Sequence, residues 1–503
     1  MTVGPMAATL MAVIGGSSLL AVTARRLNPS SDLPSLGGWA LADRSLGTGW
    51  TWLLLGGSIF TSYTFTAVPG LVYGNGAPAF FALPYTIIVC PLAFVLLPRM
   101  WAVARKHGHV TAADFVRRRY DSAPLALVVA LTGILATMPY LALQLLGIRA
   151  VLDAAGVPSR AAVGDCVMIA IFAGLAIATY RHGLRAPAVI SALKGVAVFG
   201  SAVAVCWLVL DRMNGPEGVF AAAATRLSDS TANASLVLTP GQQPAFVTLA
   251  IGSALALLMY PHVLTAAFAA SDAAVLRRVS IALPLWTVVL ALFGLLGIAA
   301  IAMGVDTPEN GAEAAVPMLT ALLMPGPLVG LVFGAITVGA LVPAAVMSIA
   351  AATSFVRNVY VEYVHPTATP KRQVRIARTV SLTAKLGAVV FVFGLRDQDA
   401  INLQLLGGVW ILQIFPAVAV GLYTARLRPA ALLAGWSAGM LLGTALVVRG
   451  GFSAVVPLGI PGSAGVYVGL VALLLNLVIS LFLTFLAEAR ERWPGAASPS
   501  PRP

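Results

Sequence analysis

The chain has 503 residues, of which 59% are hydrophobic and only 10% charged, and its mean hydropathy is +0.92. Soluble domains carry about 25% charged residues, so a soluble globular protein is excluded and an all-α polytopic membrane protein is implied. A net charge of +13 would suit a nucleic-acid partner, but the basic residues fall where membrane topology puts them, and no nucleic acid is expected.

A window of roughly 20 residues marks thirteen spans, near 5–23, 47–70, 77–104, 123–148, 160–181, 187–211, 245–268, 279–304, 327–357, 375–395, 400–423, 428–448 and 464–488. No basic segment precedes the first, and Arg25 and Arg26 follow it, so it reads as a retained helix rather than a signal peptide. Residues 111–120 (TAADFVRRRY) read as a short amphipathic cytoplasmic helix. Cys90, Cys166 and Cys206 lie in apolar runs without C-x-x-C spacing. They read as small core residues, with neither a disulfide framework nor a metal site. Loops are short except 211–244 and 365–378, and the tail RWPGAASPSPRP reads as disordered. The chain divides into residues 1–46 (an extra helix and loop), 47–211, an extracellular loop 212–244, 245–423, two C-terminal helices over 424–490, and the tail 491–503.

Loops after odd-numbered and even-numbered spans face opposite sides of the membrane. One set holds 23 of the 31 Lys and Arg residues, including Arg44, Arg105, Lys106, Arg117, Arg118, Arg119, Arg277, Arg278, Arg357 and Arg426. The other holds Arg149, Arg160, Arg212, Arg226, Arg396 and Arg449, while Lys194 and Lys385 lie within spans. The positive-inside rule then makes this a plasma-membrane protein with its N-terminus outside and its C-terminus in the cytoplasm. A miscounted helix would scramble the asymmetry, which supports thirteen.

Two spans are interrupted. The second reads WTWLLLGGSIFTSYTFTAVPG, with Gly56 and Gly57 followed by Ser58, Thr61, Ser62, Tyr63, Thr64 and Thr66; the seventh reads IGSALALLMYPHVLTAAF, with Pro261 and His262 at its centre. Proline removes a backbone donor and clashes with the preceding turn, and a glycine pair frees the backbone to unwind. Five spans separate the breaks, and an odd offset reverses the direction of travel. That is the pattern of inverted repeats with broken helices meeting at the midplane, here 47–211 and 245–423. In the ninth span, LVPAAVMSIAAATS (341–354) presents small residues around the hydroxyl of Ser348. A narrow polar notch of this kind lets a facing backbone approach and gives a small cation a place between carbonyls and hydroxyls.

These stretches resemble the sodium:solute symporter family, and within it the bacterial monocarboxylate permeases. The residues that carry the likeness are GGSIFTSYTFTAVPGLVYG (56–74), HGHVTAADFVRRRY (107–120), TMPYLALQLLGI (137–148), GLRAP (183–187), ALALLMYPH (254–262), GALVPAAVMSIAAATSFVRNVY (339–360) and LQLLGGVWILQIFPAVAVGLY (403–423). The resemblance implies a 5+5 inverted-repeat core of the amino-acid and neurotransmitter transporter type. It further implies a cation site from the backbone of Gly57, Phe60 and Ala345 with the hydroxyl of Ser348. Ile349 departs from the family, which commonly has Ser or Thr there, and a hydrocarbon in place of a hydroxyl weakens the binding of a hard cation. A second departure is on the sixth span, where Ser191 stands in place of an acidic residue and Lys194 follows one turn on.

Lys194 is nine residues beyond Arg185, about 13 Å up a helix at 1.5 Å per residue, and too deep to snorkel easily. An intramembrane lysine is a functional hypothesis by default. Three roles are open to it: a proton carrier standing where sodium would, a structural tether to backbone carbonyls, or a contact to an anionic substrate. Lys385, seven residues from Arg378, reads as a snorkelling lysine.

The polar groups available to a substrate are Ser58, Thr61, Tyr63 and Thr64 at the first break, Tyr260 and His262 at the second, Gln144 on span 4, and Trp410 and Gln413 on span 11. Half-helix N-termini suit a carboxylate without any arginine. His107, His109, His182 and His365 read as solvated loop residues. The expectation is uptake of a small monocarboxylate (acetate, propionate, pyruvate or lactate) coupled to a proton or to sodium, with a proton favoured. No enzyme activity is expected, nor a cofactor beyond a possible bound sodium ion. Partners are a small organic anion, the coupling ion and membrane lipid. Symport of another small solute with sodium, and an uncoupled channel or sensor, are the competing readings.

Overall fold

Within a bilayer every backbone polar group must be satisfied inside its own segment, and the chain is accordingly helical almost from end to end. The computed structural model describes residues 3–23, 35–157, 162–229, 235–307, 311–394, 400–459 and 461–492. Helix α1 is Val3–Thr23. Then come α2 (Thr48–Ile59), a π-helical stretch Tyr63–Ala67 and α3 (Val68–Asn75). Helix α4 (Ala82–His107) ends on Gly108 at φ +69°, a left-handed position that glycine adopts without strain. In α5 (Ala112–Tyr120) Thr111 and Asp114 form a reciprocal capping box. There follow α6 (Ala123–Ala154), α7 (Ala162–His182), α8 (Arg185–Arg212) and α9 (Pro216–Asp229).

The second half opens with α10 (Gln243–Leu257) and α11 (Pro261–Phe268), followed by α12 (Ala273–Ala282), α13 (Pro284–Ala302), α14 (Ala315–Leu323) and α15 (Gly326–Phe355). The remaining helices are α16 (Pro370–Gly394), α17 (Ala400–Ile411), α18 (Pro429–Arg449) and α19 (Val468–Arg492). Between the last two, β1 (Val455–Val456) and β2 (Val466–Tyr467) pair antiparallel.

Among the described residues nine helical segments are long and apolar enough to cross a bilayer, and α10 with α11, bent by 47°, makes ten. The other stretches read as spans, 47–70, 160–181 and 375–395, fall on α2–α3, α7 and α16. Helix α15 is the axis of the bundle, with 94% of its apolar window buried against 22% for α1 and 28% for α19, which are peripheral. It packs on α1, α2, α6, α8, α11 and α16.

Hydrogen bonds gather the basic loops at one end. Arg44 donates to the His109 carbonyl, Arg185 pairs with Asp43 at 2.5 Å, Asn358 donates to Asp114 at 2.9 Å, and Arg119 donates to the Gly421 carbonyl at 3.1 Å. At the other end Ala77 N–H bonds to the Ser235 carbonyl at 2.7 Å and Arg226 to the Ala302 carbonyl at 3.1 Å. The division follows the charge asymmetry of the loops. Arg25, Arg26, Arg160, Arg396, Arg502 and residues 493–503 of the tail lie outside the described residues.

Several expectations are corrected. The stretch 212–244 is not simple loop, because it carries α9 on the flank of α13. The cysteines are unpaired, but none is buried, and Cys166 is exposed. His109 is 5% exposed rather than solvated; burial lowers the affinity of its ring for a proton, with Asp114 acting in the opposite sense. Lys385 does not snorkel, being 3% exposed.

Candidate functional site

The first break falls three residues later than the glycine pair. Gly56 and Gly57 stay helical, and the backbone leaves the helix at Phe60, with φ −91° and ψ +97°. The glycines serve close packing instead: a Cβ on Gly56 would lie 2.1 Å from Trp286 Nε1 and one on Gly57 would lie 3.1 Å from Ser191 Oγ. Ser191 donates to the Pro187 carbonyl at 2.7 Å. Because α2 stops here, the last helical bond is from Phe60 N–H to the Gly56 carbonyl at 2.8 Å, and the carbonyls beyond it carry the negative end of the helix dipole.

Lys194, fully buried on α8, fills that position. Its Nζ donates to the carbonyls of Gly57 (2.7 Å), Phe60 (2.7 Å) and Gly339 (3.0 Å). It also sits 5.3 Å from the centre of the Phe65 ring. Gly339 on α15 can accept because Pro343, four residues on, has no N–H to offer it. An ammonium with three donors thus meets three carbonyls. Gly339 was missed in the sequence, although the Pro343 in the notch motif pointed to it by the i−4 rule.

The notch itself lies apart from this cluster. Ser348 Oγ donates to the Ala345 carbonyl at 2.9 Å and accepts from Ser381 Oγ at 3.1 Å, and Lys385 Nζ donates to Ser381 Oγ at 3.1 Å. The four residues expected to share one cation therefore divide into two groups, Gly57 and Phe60 with Lys194, and Ala345 and Ser348 with Ser381. Ser348 faces α16, not α2. Ile349 is buried without exposure and its carbonyl accepts from Thr353 at 2.7 Å.

Gln144 on α6 holds the broken backbone: its Oε1 accepts from Ser62 N–H at 3.2 Å and its Nε2 donates to the Tyr140 carbonyl at 3.0 Å. Thr61 Oγ1 accepts from Tyr63 N–H at 3.1 Å, and Ser58 donates back to the Leu54 carbonyl at 2.6 Å. Ser58, Thr61 and Gln144 are thus committed to shaping the break.

Around the second break the groups are less committed. Tyr260 caps α11, and its ring lies 5.2 Å from Tyr140 and 5.3 Å from His262, with Tyr140 and His262 also 5.3 Å apart. Tyr63 packs edge-on to Tyr85 at 5.9 Å. Tyr260 donates to the Gln404 carbonyl at 3.3 Å. Among the described residues, Thr64 Oγ1, both ring nitrogens of His262 and Gln404 Oε1 are buried without a hydrogen-bond partner, and the Tyr63 and Tyr140 hydroxyls lack one of ordinary geometry. Buried polar groups are rarely left so. The Tyr140, Tyr260 and His262 rings pack together, and Tyr260 reaches Gln404 of α17. Tyr63 and Thr64 belong to the stretch Tyr63–Ala67, which packs on α6 and α17. Tyr85, Tyr140 and Gln404 were not singled out in the sequence.

Gln413 and Trp410 do not join it. Gln413 donates to the Val409 carbonyl at 2.9 Å and accepts from Asn476 on α19 at 3.2 Å. Trp410 Nε1 donates to Thr444 on α18 at 3.2 Å. Both fasten the α17 region to the peripheral helices.

A transmembrane bundle with two broken helices around buried polar groups has the construction of a secondary transporter. The chain belongs to the sodium:solute symporter family, whose model matches residues 39–443, and is a cation-coupled symporter rather than an enzyme. A monocarboxylate transport permease protein of Rhizobium johnstonii is 41% identical over 474 residues, 94% of this chain and 95% of the relative. An uncharacterized symporter of Bacillus subtilis, YodF, is 31% identical over 408 residues, 80% of each chain. A Na+-coupled sialic acid symporter, solved substrate-bound and outward-open, superimposes with a TM-score of 0.77, covering 96% of this chain and 98% of that one at 15% identity. It shares the fold.

Proposed function

We propose that the protein takes up a small monocarboxylate (acetate, propionate, pyruvate or lactate) by alternating access, with a proton as coupling ion and Lys194 as its carrier. The observation that carries the reading is the Lys194 ammonium on the Gly57, Phe60 and Gly339 carbonyls. A tethered cation already fills the end of α2. The Rhizobium relative's name supports a monocarboxylate. So does the chemistry of the two breaks, where the N-terminus of α11 and His262 at the second, and Tyr63 and Thr64 just after the first, offer donors to a carboxylate without arginine. We infer thirteen crossings with 47–211 and 245–423 as inverted repeats, the N-terminus outside and the C-terminus in the cytoplasm.

Radiolabelled acetate, propionate, pyruvate and lactate, offered to proteoliposomes of the purified protein, test this. Accumulation above the external concentration, abolished by collapsing the ion gradients, supports the reading. Equilibration without accumulation would mean an uncoupled channel, and accumulation of none of the four would reject the substrate class.

A further inference from the structure

We propose that Lys385, Ser381 and Ser348 form a second proton-carrying site, so that two protons enter with each monocarboxylate anion. The inference rests on the proton-coupled reading above and adds a site that Lys194 does not account for.

Three observations carry it. First, Lys385 is 3% exposed although its helix lies at the lipid boundary, where Leu382, Leu386 and Val390 are 41%, 57% and 69% exposed. Its amine has turned away from lipid and towards α15. Second, its satisfaction is incomplete where that of Lys194 is complete. Among the described residues the acceptor at hydrogen-bond distance is Ser381 Oγ, at 3.1 Å, for an ammonium that has three donors. A serine oxygen can accept from the charged amine or donate to the neutral one, so this contact survives loss of the proton.

Third, the contact continues as a chain, Lys385 Nζ to Ser381 Oγ to Ser348 Oγ to the Ala345 carbonyl, with steps of 3.1, 3.1 and 2.9 Å. In the loading step a hydronium ion breaks one O–H bond, giving its proton to Ser348 Oγ and leaving as water. The former Ser348 proton passes to Ser381 Oγ, and the former Ser381 proton forms the new N–H bond on Lys385. Each serine oxygen breaks one O–H bond and forms one, and the fresh Ser348 hydroxyl is left donating to Ala345, as observed. Release runs the same steps backwards.

Charged groups on the packed elements lie elsewhere. Helix α15 has none along its length. On α6, Arg149 and Asp153 lie near the end, and Arg149 pairs with Asp165 of α7 at 3.6 Å. His182 closes α7, and Asp43 and Arg44 follow the turn Leu36–Leu41. On the packed stretch Val356–Val364, Arg357 pairs with Asp114 at 3.3 Å and Glu362 with Arg117 at 3.2 Å. On α16 itself Arg375 and Arg378 are ten and seven residues away towards its start.

The test is the proton-to-substrate ratio at static head, in proteoliposomes at clamped zero potential. Each coupled proton multiplies accumulation by about tenfold per pH unit. Wild type is expected to gain about 100-fold per pH unit, and Lys385→Met about tenfold. Ser381→Ala, which keeps the amine and cuts the chain, should fall as Lys385→Met does. A wild type at tenfold, or a Lys385→Met variant still at 100-fold, overturns the second site and leaves the parent reading intact. A wild type driven by sodium and indifferent to pH overturns both. Should Lys385→Met fail to fold, the wild-type slope and Ser381→Ala decide the matter.

Discussion

The two broken helices look alike in sequence position but end in opposite chemical states. At the first break the exposed groups are carbonyls at a helix C-terminus, and Lys194 meets them from within the protein. At the second, α11 starts at the break, and both ring nitrogens of His262 are buried with no hydrogen-bond partner among the described residues, as are Gln404 Oε1 of α17 and Thr64 Oγ1 from the stretch just after the first break. A helix C-terminus favours a cation and an N-terminus an anion. One break is filled by a cation belonging to the chain, while the other holds buried polar groups without one. On the proposed function, the first serves coupling and the second substrate recognition.

The largest effect that would break this contrast comes from Lys194. Lys194→Met leaves three buried carbonyls unpaired, at about 1–3 kcal/mol each. It should abolish pH-driven uptake and lower thermal stability in detergent; normal pH-driven uptake would place coupling elsewhere. Next is Ser348→Leu. This side chain would be forced between α15 and α16, an overpacking of about 1–3 kcal/mol. Uptake should be lost with the fold retained by size-exclusion chromatography.

Pro343→Ala sharpens the first break. It returns an N–H that competes with Lys194 for the Gly339 carbonyl, at about 0.5–1.5 kcal/mol, and should slow uptake severalfold without changing the apparent KM for substrate. Among the uncommitted polar groups, Tyr63→Ala and His262→Gln should raise KM by about 5- to 150-fold, from a lost donor of about 1–3 kcal/mol. Gln413→Ala, by contrast, should reduce stability and leave KM unchanged. Equal KM shifts in all three would return Gln413 to the substrate site.

The smallest effect concerns His109, at the end of the bundle where the basic loops gather. Its folded form resists protonation, chiefly through burial. The unfolded chain therefore takes up the proton first, and stability falls as pH drops below about 6.5, the ordinary histidine value. His109→Asn should flatten that acid limb in a thermal-shift series.

Much of this architecture was legible in the sequence because lipid imposes strong rules. Apolar stretches marked the nine or ten segments that, among the described residues, are long and apolar enough to cross a bilayer, and both breaks were visible as interruptions with polar residues. Lys194 stood out because a buried charge is costly. What escaped was side-chain direction. Lys385 lies at a depth from which a flexible lysine can reach either interface or core, and spacing from Arg378 does not choose between them. The serine at 381, one helical turn before it, was the available sign, since residues four apart share a face. Gln413 was misplaced for a related reason: a glutamine on a buried helix has no mark telling which neighbour it meets, and Asn476 lies 63 residues away. The glycine pair at 56–57 shows a third limit, because glycine permits unwinding but here admits Trp286 and Ser191.

The central claim is that the chain's own ammonium takes the place of a metal cation and carries the driving proton. Initial rates of acetate uptake, with pH and sodium gradients imposed separately on wild type and Lys194→Ala, test it most directly. The account predicts that an inward proton gradient accelerates wild type without sodium and that Lys194→Ala loses this response. Wild-type uptake that requires sodium and ignores a pH gradient at fixed sodium would contradict it and leave Lys194 a structural tether.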